Sequence, residues 1–397
     1  MDDCNNELRM LLACACAQLS TAGAGRIREL LDEQLHWPSL LTLSARHGML
    51  PLMTAHLGPF AERLPESVRA RLAASEIENT RRLLQLTREL LAVLRQFRND
   101  GIPAAPYKGP ILSLQLYGSL ALRQAADLDV VIRDRDVERA RILLTAGGYR
   151  REHELTSSGE AFMVRSRYSE TYRHPDGFWL ELHWAFTNRD FAFPLTFDSL
   201  APGLGGIELG GEDVPVFAWD DLLILLCVHG AKHRWDRLEL ICGVAETMRR
   251  LHAADWPRVM QRAVELGAWR MLALGILLSH ASFALPLPAH VVRQCRSDDT
   301  VARLCAQVRA RLGAPRAESE APPLETDIFH YRLRERRRDR LRFLLYRLTT
   351  PSNPERWSVL TLAGRAIPLH AFVRPFQLLK KSIPALRTHL ARQSRSN

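Results

Sequence analysis

Asp127-Leu128-Asp129-Val130-Val131-Ile132 alternates acid with apolar residues, and the reading of the whole chain turns on it. At the two-residue period of a strand, Leu128, Val130 and Ile132 face a core while Asp127 and Asp129 share the opposite face. Residues two apart on a strand lie roughly 7 Å from each other, close enough for their oxygens to converge on a hard cation such as Mg²⁺. The same spacing also describes an amphipathic strand with a solvated acidic face, so the flanking segments must decide.

Upstream, Ile102 to Tyr107 reads as a strand, Lys108-Gly109 as a turn and Pro110 to Tyr117 as a helix, with Pro110 suited to a first helical position. A glycine at a strand-to-helix turn lets a phosphate approach the backbone, and a helix N-terminus offers unpaired N–H groups with a favourable dipole. Lys108 would then meet a triphosphate. Only four of the 54 basic residues are lysine (Lys108, Lys232, Lys380 and Lys381), which marks Lys108 and Lys232 as places where a compact ammonium is wanted. Downstream, Phe178-Trp179-Leu180-Glu181-Leu182-His183-Trp184 repeats the alternation and puts Glu181 and His183 on one face. If the two strands are neighbours, Glu181 becomes the third carboxylate that two-metal chemistry asks for. Asp134, Asp136 and Asp176 fall in turns.

Residues 1–100 read as helical, ending in a long amphipathic helix from about Glu76 with the stripe Leu83, Leu86, Leu90, Leu94 and Phe97, stopped by Asn99-Asp100-Gly101. Residues 101–200 alternate strands and helices. A glycine-rich connection, Pro202 to Gly211, leads to a second helical region within 212–312, and Ala314 to Pro323 links it to a basic tail, 324–397, expected to be helical. The fold class is therefore α+β, a small α/β core flanked by helical regions.

The net charge of +10 is concentrated in that tail: from Ile328 to Asn397 sixteen Arg and Lys face three acids, so the tail carries +13 and the body about −3. A core that handled long nucleic acid would need its own basic face, so nucleic acid is not the expected substrate. The alternation of Arg332, Arg334 and Arg340 with Tyr331, Leu333 and Phe343 suits a charged helix face, and would also suit an anionic membrane surface. Seven cysteines without a C-x-x-C pair, and no signal-like or membrane-spanning run, fit a reducing cytoplasm. His229 and His233, four apart on a helix, have a zinc-compatible spacing but lack the third ligand and glutamate of H-E-x-x-H. Lys232, between them, would face the nucleotide cleft, and Arg123 would touch phosphate or pair with an acid.

With these residues in place the chain resembles the bacterial family of uncharacterised nucleotidyltransferases, within the polymerase β-like superfamily. The resemblance runs through Arg46-His47-Gly48, Tyr107-Lys108-Gly109, Tyr117 with Arg123 and Asp127-Leu128-Asp129, and Ala146-Gly147-Gly148-Tyr149. It continues in Glu181-Leu182-His183-Trp184, His229 to Trp235 and Asp255-Trp256, over roughly residues 30 to 290, and resumes at Arg374-Pro375-Phe376. It implies a small nucleotidyltransferase core with a mixed sheet, Asp127, Asp129 and Glu181 as catalytic residues and metal ligands, and Lys108 and Gly109 at the glycine turn, with Arg123 and Lys232 added as nucleotide contacts. The expected cofactor is Mg²⁺ or Mn²⁺, the substrate an NTP, with ATP expected, and the acceptor a peptide, protein, sugar or small molecule. Pro110 departs from the Gly-Ser or Gly-Gly of many superfamily turns and removes one N–H donor. Cys242-Gly243 stands where the pattern has an aspartate. The rival readings are a nucleotide-binding scaffold that has lost turnover and an adaptor acting through the tail; oligomeric state and acceptor identity stay open.

Overall fold

The computed structural model describes residues 6–152, 168–313 and 323–349. Four short helices, α1 (Asn6–Cys14), α2 (Thr21–Asp32), α3 (Trp37–Arg46) and α4 (Leu50–Leu57), precede the long α5 (Glu66–Asn99). The last begins ten residues earlier than the stripe from Glu76 suggests, because Val68 and Leu72 carry the apolar face back toward Pro65 and are buried. Its end falls where the sequence places it, with Gly101 at a φ of +69°.

The strands β1 (Ala104–Pro106), β2 (Asp127–Ile132), β3 (Arg150–Arg151), β4 (Ser169–Arg173) and β5 (Trp179–His183) form one mixed sheet in the order β1-β2-β5-β4-β3. The two strands with alternating acids are direct neighbours and parallel, with Asp129 in register with Glu181 and Leu128 with Leu180. Helices α6 (Gly109–Tyr117) and α7 (Val137–Ala146) follow β1 and β2. Leu128, Val130, Ile132, Leu180 and Leu182 form a core with Leu90, Leu94 and Phe97 of α5 and Leu144 of α7. That is the apolar face the period-two pattern predicts.

The opposite face is not solvated. Val131 and Tyr107 belong to a second core built with the helices that follow. After α8 (Phe197–Leu200), residues Gly205–Leu209 (β6) and Glu212–Val216 (β7) pair as an antiparallel hairpin about Gly210 and Gly211, both at positive φ. The expected glycine-rich connection is thus the first half of a hairpin: its glycines serve the turn and the strand start rather than a linker.

Helices α9 (Trp219–Lys232), α10 (Leu238–Met248), α11 (Trp256–Leu266) and α12 (Trp269–Phe283) continue the second core. Residues Leu222 to Val228 are buried all round, so α9 is a central helix rather than an amphipathic one. The remaining helices are α13 (Ala289–Arg296), α14 (Asp299–Leu312), α15 (Pro323–Leu333) and α16 (Arg337–Thr349). No helix among the described residues is long and apolar enough to cross a membrane.

Arg46-His47-Gly48 is a latch between these helices. Buried His47 accepts from the Leu238 N–H at Nδ1 (3.1 Å), and its Nε2 donates to the Leu312 carbonyl (3.0 Å). Gly48, at a φ of +69°, lets the Glu239 carboxylate pass where a Cβ would collide. Burial, reinforced by Arg46, lowers the His47 pKa to about 4. Burial likewise brings His330 to about 4 and, with Lys232, His233 to about 3.

A histidine depressed on folding contributes stability that is full above its unfolded value near 6.5 and is lost as pH falls through the folded value. The stability gap between the wild-type protein and His47→Leu is therefore expected to narrow by about 3 kcal/mol from pH 7 to pH 4. Urea unfolding at both pH values checks this; a constant gap would show that folding leaves the His47 pKa where it is in the unfolded chain.

The start of the basic tail is bound to the body. Arg334, 1% exposed, donates to the Asp190 carbonyl at 3.0 and 2.7 Å and lies between the rings of Phe191 and Phe343. Phe329 and Leu333 are buried with it, whereas Leu344 and Leu345 stay 44% and 52% exposed. Charge here is part of the packing: a planar guanidinium can be sandwiched where an ammonium cannot. Residues 350–397, including Lys380, Lys381 and Arg374-Pro375-Phe376, lie outside the described residues.

Candidate active site

The ladder carries on past β1: the Tyr107 N–H donates to the Asp129 carbonyl (2.9 Å), while the Tyr107 hydroxyl donates to the Leu225 carbonyl of α9 (3.1 Å). This pins the sheet to the second helical region directly ahead of the turn. Lys108 caps α6, and Gly109 takes a φ of +67° where a Cβ would stand 3.2 Å from the Asp127 carbonyl. Both facts call for glycine. The turn sends the Lys108 side chain back over the strand it has just paired with, to bring Nζ 2.9 Å from Asp129 Oδ1.

Asp129 is 1% exposed and sits at the centre of the cluster. His183 Nε2 lies 2.8 Å from the same Oδ1 and 3.3 Å from Glu181 Oε2. Burial alone would raise the Asp129 pKa, but the Lys108 ammonium and the His183 ring outweigh it and hold the carboxyl well below its usual range. Burial opposes the charge on Lys108 too, and Asp129 and Asp127 overcome it. The hydrogen bond from His183 lowers the Glu181 pKa, while burial and then Asp129 raise that of the half-buried Asp127. Asp129 and Glu181 are therefore ionised, and Asp127 shares a face with charges it is repelled by.

The donor atoms of Asp129, Glu181 and His183 all lie within 4.8 Å of one another. Asp129 Oδ2 is buried without a hydrogen-bond partner among the described residues. A buried, ionised oxygen left unpaired beside a second carboxylate fits a divalent cation. Asp127 stands outside this tight group, two residues earlier on the same face. His183 was legible only as a neighbour of Glu181; its parity on β5 was the available signal, and its role as the hydrogen-bond hub depends on how deeply the face is covered.

Lys232 reaches the site from α9. Its Nζ donates to the Tyr168 hydroxyl and sits 4.5 Å above that ring, which lies 5.8 Å from the His183 ring. It therefore adjoins the carboxylates through two aromatic rings rather than touching them. His229 meets the edge of Tyr107 and is 4.5 Å from the His233 ring, and no third ligand joins them among the described residues. Burial and the nearby Lys108 keep His229 well below its ordinary pKa. Arg123 lies in the turn before β2, its carbonyl accepting from Asn79 Nδ2 (3.4 Å). Its guanidinium has no ion pair among the described residues, and its charge favours ionised Asp127. A cleft of 560 Å³ opens beside that turn, lined by Asn79, Arg82, Gln124, Ala126 and Arg237.

A mixed sheet that presents paired acids beside a glycine turn and a lysine defines a transferase of the nucleotidyltransferase type. The chain belongs to the family of uncharacterised nucleotidyltransferases, which matches residues 33–284. Two solved structures of the antibiotic-resistance factor ANT(2'')-Ia are similar to it in part. The solution structure is 12% identical and covers 59% of this chain and 94% of its own, with a TM-score of 0.28. The crystal structure with adenylyl-2''-tobramycin is 14% identical and covers 57% and 97%, with a TM-score of 0.26. Overlap of that extent says nothing about the acceptor. No curated protein matches the sequence.

Proposed function

We propose that the protein transfers a nucleoside monophosphate from an NTP, with ATP expected, to an acceptor hydroxyl, using Asp127, Asp129 and Glu181 to hold Mg²⁺ or Mn²⁺. The observation that carries this reading is the register of Asp129 with Glu181 across parallel β2 and β5, beside a half-buried lysine that follows a strand and precedes a glycine. The acceptor oxygen attacks the α-phosphorus, the bond from the α-phosphorus to the bridging oxygen breaks, and pyrophosphate leaves with that oxygen. Asp127, Asp129 and Glu181 would hold a divalent cation, which would supply charge neutralisation at the phosphates and acidify the attacking hydroxyl.

The protein's own groups do the rest. Lys108 keeps its proton and supplies a fixed positive charge where the triphosphate charge develops. Gly109 lets the chain come close to a phosphate without a side chain in the way. Glu181, held ionised by His183, is the base nearest the site for the hydroxyl proton. Lys232 on its tyrosine shelf and Arg123 beside Asp127 flank the reacting groups as nucleotide contacts. The cleft along Asn79 and Gln124 borders the turn that leads into Asp127 but takes in none of Lys108, Asp127, Asp129 or Glu181. A peptide, a protein side chain, a sugar or an antibiotic-like molecule would each present a suitable hydroxyl.

Asp127→Asn and Glu181→Gln are expected to lower pyrophosphate release by at least about 100-fold while changing stability by less than about 1 kcal/mol, because both side chains are only half buried. Pyrophosphate release with Mg²⁺ and a panel of such acceptors, read beside thermal melts, checks both halves. Full turnover in either variant would remove that residue from the catalytic set.

A further inference from the structure

We propose that His183 is itself a ligand of the cation, so that Asp129, Glu181 and His183 form a mixed carboxylate and imidazole site favouring a first-row transition ion over Mg²⁺. The inference rests on the reading of this cluster as a cation site and goes beyond it in the ligand set and the metal preference.

Ligands about 2.1 Å from an octahedral ion stand roughly 3 Å apart on adjacent vertices. His183 Nε2 is 3.3 Å from Glu181 Oε2, already the separation of such an edge, and ligand atoms of Asp129, Glu181 and His183 lie within 4.8 Å of one another. The ring is held there by its strand, since Glu181 and His183 project from one face of β5, and by burial that leaves it 3% exposed between Tyr107 and Tyr168. His183 Nδ1 makes no hydrogen bond among the described residues. With two carboxylate oxygens in front of it, Nε2 carries a proton that they accept; a bound cation would replace that proton, leaving the Nε2 lone pair for the metal and the ring proton on Nδ1. Asp129 can enter through its unpartnered Oδ2 while Lys108 keeps Oδ1.

Three carboxylates alone would give an all-oxygen site of the kind Mg²⁺ accepts. An imidazole nitrogen in place of one oxygen moves the preference toward Mn²⁺, Co²⁺ or Zn²⁺. The alternative role for His183, a charged partner that only neutralises Asp129 and Glu181, would disfavour every dication alike by placing a like charge in the site.

The test uses the full chain loaded with Mn²⁺. Pulsed EPR is expected to show the nitrogen coupling of a directly bound imidazole in the wild-type protein and to lose it in His183→Gln. Calorimetry is expected to show Mn²⁺ affinity falling at least about tenfold in His183→Gln, with Mg²⁺ affinity held within about threefold. Bound Mn²⁺ without nitrogen coupling, equal losses for the two ions, or no Mn²⁺ binding at millimolar concentration would each overturn the proposal. The wild-type spectrum decides the question even if the variant fails to fold. Nitrogen coupling in a protein that turns over no NTP would defeat the transfer reading and leave the ligand set standing.

Discussion

Asp129→Asn is expected to cut nucleotidyl transfer by about three orders of magnitude and, unlike Asp127→Asn, to weaken the fold by about 3 kcal/mol. The catalytic loss follows from removing the one carboxylate that meets Lys108, His183 and the cation site together; three orders of magnitude correspond to about 4 kcal/mol of transition-state charge stabilisation. The loss of stability follows from burial. Asp129 is 1% exposed, and its negative charge holds an ammonium at 2.9 Å and an imidazole at 2.8 Å. An amide of the same shape leaves both of those groups facing a neutral partner inside the protein, the situation in which breaking a buried ion pair is costly. Kinetics and denaturant unfolding on the two single variants separate the effects. Equal stability of Asp127→Asn and Asp129→Asn would mean that Lys108 does not need its partner.

Lys108→Arg, which keeps the charge, is expected to raise the apparent KM for NTP about tenfold, and Lys108→Met to lower kcat/KM by about 100-fold to 1000-fold. Lys108 caps α6 in an extended conformation and reaches back over β2 to a buried carboxylate, with Gly109 packed close to the Asp127 carbonyl. A guanidinium is wider than an ammonium and carries its donors in a plane, so it cannot lie along the same path without pushing on the turn. The chain writes arginine nearly everywhere else, which gives the retained lysine its meaning. Steady-state kinetics over a range of NTP concentration distinguishes the two substitutions. Indifference to Arg would show that only the charge matters at this position.

That β2 and β5 could be neighbours was readable because two period-two patterns each put an acid on a polar face, but their parallel direction and the register of Asp129 with Glu181 were not. The turn at Lys108-Gly109 was readable for a similar local reason, since strand, glycine and proline follow in seven residues. What could not be read was the burial of the polar face. Val131 continues the acidic side of β2 into a core supplied by Tyr107, Phe186 and α9, residues up to about a hundred positions away. That covering changes His183 from a surface neighbour of Glu181 into the hub of the cluster. The hairpin of β6 and β7 was hidden by glycines, which weaken strand propensity while Gly210 and Gly211 make the turn. In the tail, Leu344 and Leu345 stay exposed while Arg334 is buried between two phenylalanines, because side-chain charge gives no warning of a stacked guanidinium.

The most direct measurement follows the phosphorus. Wild-type protein, a divalent cation and a panel of peptide, sugar and small-molecule acceptors are incubated in parallel with NTP labelled at the α-phosphorus and with NTP labelled at the γ-phosphorus. The account predicts label on the acceptor only from the α position, pyrophosphate in equal amount, and neither product with Asp129→Asn. Label arriving from the γ position, or α-label transfer undiminished in Asp129→Asn, would contradict it.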